Sequence, residues 1–252
     1  MKPVSDETKA NPLDWQALGD WYATPLGQYL LPEEQAVIDE LLQRRFGYQL
    51  LHLGCSELVL HNKSPMGHRF SFCPHPEIGT RHTAVANGAA IPLAAESVDL
   101  VLMHHALDFS RQQHQLLREV ARILIAGGHV VIVGFNPWSS WGLRSRLGRR
   151  RKAPFNALAL SPSRVTDWLA LLDFQVVSVR YGGYTLPVNS SRWIRFSSWM
   201  GRLAAKLNWP TGGNYVILAR KQVMPLTPVH KHWRRLSMPV VGLPVSAERN
   251  ER

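Results

Sequence analysis

Apolar residues along this chain follow two rhythms. Val37, Ile38, Leu41 and Leu42 return every three or four positions and form one face of a helix, entered at Pro32-Glu33-Glu34 and ended by Gly47. Ahead of it, Thr24-Pro25 has the form of a helix start, an N-cap oxygen followed by proline at the first helical position. With Trp15, Trp21 and Tyr22, these turns make residues 1–47 a helical segment packed on the main domain. From Gln49 the rhythm changes. Leu50, Leu51 and Leu53 run into Gly54 as a buried strand and a tight loop, and 68–73 reads as a second strand, stopped by Pro74 and Pro76. A short third strand is expected at 83–86. The unbroken apolar runs at 98–103 and 130–135 suit parallel strands covered on both faces. Between them, 111–126 is a helix with Leu116, Leu117, Val120, Ala121 and Leu124 on one side and Gly127-Gly128 at its end. A helix from Ser161-Pro162 to Leu172, a strand at 174–179, a helix at 190–208 and a strand at 214–219 complete the pattern. Strands alternating with helices predict an α/β, doubly wound, mostly parallel seven-stranded sheet. One domain spans 48–221, with a Trp/Arg-rich insertion at 136–160 and a lid helix within 185–210. A flexible basic tail, 222–252, completes the chain.

Three stretches carry chemistry. Leu50-Leu51-His52-Leu53-Gly54-Cys55-Ser56 leaves a strand through a glycine; Asn87-Gly88-Ala89-Ala90-Ile91-Pro92-Leu93 comes after the third strand; and Ser97-Val98-Asp99-Leu100-Val101-Leu102-Met103-His104-His105-Ala106-Leu107 leads toward the helix and turn of 116–128. In this order they resemble the class I S-adenosylmethionine-dependent methyltransferases, in particular the methyltransferase type 11 branch, whose sheet is Rossmann-like. The resemblance implies S-adenosyl-L-methionine as cofactor. It assigns cofactor contacts to His52, Gly54, Cys55, Ser56, Asn87, Gly88 and His104, with the glycine loop at the methionine end and Asn87 and Gly88 at the adenine. The chain departs from the family at His52, where the loop carries an acid, at Ser56 and Leu58, where it carries glycines, and at Phe72-Cys73-Pro74-His75, where an acid holds the ribose. His104, His105 and Asp108 stand where the family's fourth strand ends beside the transferable methyl. They are the catalytic candidates, either as a general base or as pocket lining.

Composition narrows the partners. Up to Glu119 there are fourteen carboxylates and nine Lys/Arg; beyond it, four carboxylates face twenty Lys/Arg, within a total formal charge of +11. Such a block favours an anionic partner. Arg144, Arg146, Arg149, Arg150, Arg151 and Lys152, near Trp138 and Trp141, are the candidate contacts for an anionic small molecule or nucleic acid. No apolar run approaches the ~20 residues of a bilayer span, and no signal peptide opens the chain, so a cytoplasmic location is expected. Cys55, Cys73 and His75 lack the CxxC spacing of zinc sites, and no metal is expected. These features allow two functions. One is methyl transfer to an anionic acceptor. The other is a catalytically inactive methyltransferase fold that binds nucleic acid or a protein partner through its basic half.

Overall fold

The computed structural model describes residues 12–54, 58–73, 84, 85, 88, 90–147, 157–185, 204 and 207–223. The chain begins with two helices, α1 (Pro12–Tyr22) and α2 (Pro25–Gln43). Strands β1 (Gln49–Leu53), β2 (His68–Cys73), β3 (Ala84–Val85) and β4 (Val98–His104) come next, then α3 (Gln113–Ile123) and β5 (Leu124–Phe135). Helices α4 (Ser140–Leu147) and α5 (Pro162–Leu171) precede β6 (Phe174–Gly182) and β7 (Asn214–Lys221). The strands form one seven-stranded sheet in the order β3-β2-β1-β4-β5-β7-β6. β1 pairs in parallel with both β2 and β4, and β4 with β5. β7 enters between β5 and β6, antiparallel to both.

The continuous apolar runs explain the centre of the sheet. Because side chains alternate across a strand, Leu51, Val101, Val130, Ile132 and Ile217 face one way, into a core shared with α1, α3 and α5. Leu50, Leu100, Leu102, Val131, Val133 and Leu218 face the other way, onto Ile38, Leu41 and Leu42 of α2. Both faces are covered, as a doubly wound sheet requires.

Three local features differ from the expectation. The two helices expected around Pro32 are one: α2 runs through it, although Pro32 has no N–H for the Gln28 carbonyl. Leu26 and Leu30 before the proline are buried in the core shared with α1, and Ile38, Leu41 and Leu42 after it in the opposite core, so packing on both sides of Pro32 holds the axis together. Gly47 does not end α2, which stops at Gln43. A Cβ on Gly47 would lie 2.6 Å from that of Asp99, whose Oδ2 accepts from the backbone of Tyr48 (3.0 Å) and Gln49 (2.8 Å). The glycine thus lets the chain approach β4. Finally, α3 ends at Ile123, ahead of the two glycines. Leu124 is already extended, Gly127 takes φ +79°, and the pairing with β4 slips between Val98 and Leu100.

The 136–160 insertion contains α4. Its Trp141 is buried against Trp21 and donates from Nε1 to the Thr185 carbonyl at 2.7 Å. The helix expected at 190–208 and the tail at 222–252 lie outside the described residues, apart from Ala204, Leu207 and Asn208 and from Gln222 and Val223. No helix among the described residues is long and apolar enough to cross a membrane.

Candidate functional site

The carboxyl ends of β1 and β4 lie side by side, with Leu53 opposite Met103, and polar side chains gather at that rim. Ligands of open parallel sheets bind at such strand ends. His104 is the last residue of β4 and is fully buried. His105 comes next with φ +53°, a left-handed conformation that costs a non-glycine residue about 1–3 kcal/mol and persists where its surroundings over-determine it. Here they do. His105 Nδ1 bonds Asp108 Oδ2 at 2.8 Å, and its ring stacks on Phe135 at 4.0 Å. The same Asp108 oxygen accepts the Phe135 backbone N–H at 2.9 Å.

Glu34 reaches this rim from α2, one turn from Leu30 and one from Ile38, and its carboxylate is fully buried. Four groups surround it. Oε2 accepts from the Tyr22 hydroxyl at 2.8 Å and faces His104 Nε2 at 3.2 Å. Oε1 accepts from Asn214 Nδ2 at 2.6 Å and faces His105 Nε2 at 3.3 Å. Burial by itself would raise the Glu34 carboxyl, but the hydrogen bonds and charge of His104 and His105 outweigh it and hold the group well below the usual range. Burial also opposes a charge on His105, yet Asp108 and Glu34 overcome it and push the imidazole up to about 9. His104 moves the other way, because its burial exceeds the help it receives from Glu34. Burial, then the nearby His104 and His61, lowers His52 well below its ordinary value.

Gly54 closes β1 against this cluster. A Cβ there would stand 2.8 Å from the His104 carbonyl oxygen and 3.2 Å from His52 Nε2. His52 Nε2 and His104 Nδ1 are buried polar atoms with no hydrogen-bond partner among the described residues. Gly88 packs on α3, where a Cβ would meet Leu116 Cδ1 at 2.9 Å. The rim thus brings together His52, Gly54, His104, His105 and Asp108. Cys55, Ser56 and Asn87 lie outside the described residues. Of the basic candidates, Arg144 is exposed on α4, Arg146 lies on the same helix, and Arg149, Arg150, Arg151 and Lys152 lie outside the described residues.

The methyltransferase domain family matches residues 51–132, from β1 into β5. The uncharacterized protein YafS of Escherichia coli (strain K12) is 30% identical over 210 residues, covering 82% of each chain. The chain belongs to the methyltransferase domain family. Two solved structures share the fold at low identity. A Thermotoga maritima S-adenosylmethionine-dependent methyltransferase, described as a possible histamine N-methyltransferase, has a TM-score of 0.57 at 15% identity, covering 82% of this chain and 100% of its own. The methyltransferase complexed with the Haloferax volcanii Trm112 activator, itself described as putative, has 0.56 at 16%, covering 83% and 97%.

Within this methyltransferase-family chain, the sequence pattern does not single out Glu34, Tyr22 or Asn214 as site residues. The available signal is Glu34 itself, a carboxylate set between Leu30 and Ile38 on a helix face that is otherwise apolar. Glu34, His104 and His105 also present three donor atoms within 4.8 Å of one another, an arrangement that no local spacing in the chain announces.

Proposed function

We propose that this chain binds S-adenosylmethionine at the carboxyl edge of β1 and β4 and transfers its methyl group to an acceptor beside His104. The observation that carries this reading is the buried polar cluster at the end of β4, on a family sheet whose glycine turn abuts the same residue. The residues of this rim suit the cofactor's methionine end. His52 Nε2 and His104 Nδ1 are unpartnered polar atoms flanking a glycine that cannot carry a side chain without collision. The bound cofactor supplies an electrophilic methyl on its sulfonium, so the protein's share is chiefly positioning. His104, neutral at Nδ1, is the group able to take a proton from a hydroxyl or amine acceptor, while Glu34 fixes its ring. His105 and Asp108 hold the strand end in place. The basic second half, with exposed Arg144 and the run 149–152, favours an anionic acceptor.

A second reading has its own observation. Trp15, Trp21 and Tyr22 of α1 are buried, with Trp15 against Phe109, Trp21 against Phe135 and Tyr22 against His104 and His105, as in a fold kept for binding through its basic half rather than for catalysis. Titration calorimetry with S-adenosylmethionine and S-adenosylhomocysteine separates the two. Saturable binding to the wild type, abolished in Gly54→Leu, supports the methyltransferase. No binding at millimolar cofactor ends that reading and leaves the non-catalytic one.

A further inference from the structure

The two histidines meet Glu34 at an unusual spacing. A buried, charge-assisted N–H···O bond settles at about 2.7–2.9 Å, and His105 makes such a bond at its other nitrogen, 2.8 Å to Asp108. Yet its Nε2 stands 3.3 Å from Glu34 Oε1, and His104 Nε2 stands 3.2 Å from Oε2. Donors around a four-coordinate ion with bonds of about 2.0–2.1 Å lie roughly 3.3 Å apart; the two spacings here run to the two different oxygens of Glu34, and one donor atom from each of the three residues lies within 4.8 Å of the others. The Tyr22 hydroxyl, a fourth oxygen in reach, is likewise 3.3 Å from His104 Nε2.

The surroundings agree with this spacing. Asp108 takes the Nδ1 side of His105, and the backbone of Phe135 fixes Asp108; a carboxylate behind a ligating histidine is the usual outer support of a metal site, because it turns Nε2 and its lone pair inward. Asn214 holds Glu34 in the same way. Two fully buried carboxylates are present, and among the described residues their ion pairs are with histidines alone. A divalent ion supplies two positive charges where they are needed.

We infer that Glu34, His104 and His105 form a binding site for a divalent transition-metal ion, with zinc as the occupant. Two imidazoles and one carboxylate, with the Tyr22 hydroxyl beside them, is a donor set that zinc accepts. The site stands on these residues alone. Its role rests on the methyltransferase reading: with His104 then committed to the metal through Nε2, a zinc ion at the end of β4 would replace it as the activating group, lowering the pKa of an acceptor hydroxyl and favouring its attack on the methyl group.

The test uses the full chain, stripped with a chelator and titrated with zinc against a chromophoric competitor. One zinc per chain is expected, together with a rise in melting temperature and visible d–d absorption when cobalt(II) is substituted. Glu34→Gln should lose the zinc-dependent rise, and Asp108→Asn should weaken zinc roughly 10–100-fold. Circular dichroism without metal checks that each variant is folded; His104→Gln replaces Glu34→Gln if that variant is not. A folded wild type that takes up no zinc overturns the proposal. So does equal uptake by the wild type and the ligand variants, which would place the ion on other histidines of the chain. Calorimetry with S-adenosylmethionine on the same samples separates the two claims. Zinc without cofactor binding removes the methyltransferase reading and keeps the metal site, and cofactor binding without zinc does the reverse.

Discussion

Glu34 concentrates the consequences of a single substitution. Truncating it to Ala leaves His105 charged and buried with one carboxylate instead of two, and breaking a buried ionic contact in this way costs about 3–5 kcal/mol. Denaturant unfolding of Glu34→Ala should show a loss of that size, and a change below about 1 kcal/mol would mean that the cluster is not closed to water. His129, on β5, gives a pH dependence that belongs to one side chain. Burial first, then Arg45 and Arg220, lower it from its ordinary 6.5 to about 4. The unfolded chain takes up the proton before the folded one does, so this contribution is full above pH 6.5 and is lost as pH falls from 6.5 toward 4. In His129→Gln the melting temperature should fall less between pH 7 and pH 5 than in the wild type. At this scale the sequence is legible where function and neighbourhood coincide: His104, His105 and Asp108 come directly after an apolar strand and stand out as a group. Tyr22, Glu34 and Asn214 do not. Tyr22 and Glu34 lie 82 and 70 residues from His104, Asn214 lies 180 from Glu34, and they meet only once the sheet has formed.

Elements are legible where a strong apolar rhythm runs uninterrupted, as in β4, β5 and α3. They mislead where a proline or glycine has a reason outside its own segment. Pro32 resembles a helix start because its cost to a helix interior is local, whereas the packing that outweighs it comes from Leu30 and Ile38, before and after it in opposite cores. Gly47 resembles a helix stop, but it answers to Asp99 on another strand. Gly27, which the sequence pattern does not single out, also answers to another segment. A Cβ there would stand 2.3 Å from the Trp21 carbonyl oxygen and 2.5 Å from the Tyr22 Cα, so the turn between α1 and α2 closes only around glycine. Gly27→Ala should pry α1 from α2 and carry the Tyr22 hydroxyl away from Glu34. The expected readouts are a loss of about 1–3 kcal/mol, as for other overpacked positions, and a change in tryptophan emission, since Trp21 lies at the same corner. Unchanged emission and stability would show that α1 can shift without consequence for the site.

Across the whole molecule, the sheet order and the charge distribution are separate properties. The first comes from apolar continuity and the preference for short, right-handed crossovers, and it places the cluster at the carboxyl ends of the central strands β1 and β4. The second leaves the latter half strongly basic. Retention on an immobilised polyanion should therefore fall steeply with salt. Replacing Arg149, Arg150 and Arg151 together by Ser should lower the elution salt while leaving calorimetric affinity for S-adenosylmethionine unchanged; equal elution of the two proteins would move the anion contact elsewhere. The strand β7, inserted between β5 and β6, also bears on how the chain is made. Asn214, at its start, completes the environment of Glu34, a residue synthesised 180 positions earlier. Until β7 has left the ribosome, Glu34 lacks its amide partner, β5 has a bare edge, and β6 has no neighbour to join it to the sheet. A contact closing so long a loop forms late, so the nascent chain waits with an open edge and an exposed carboxylate, and the arrival of β7 locks both.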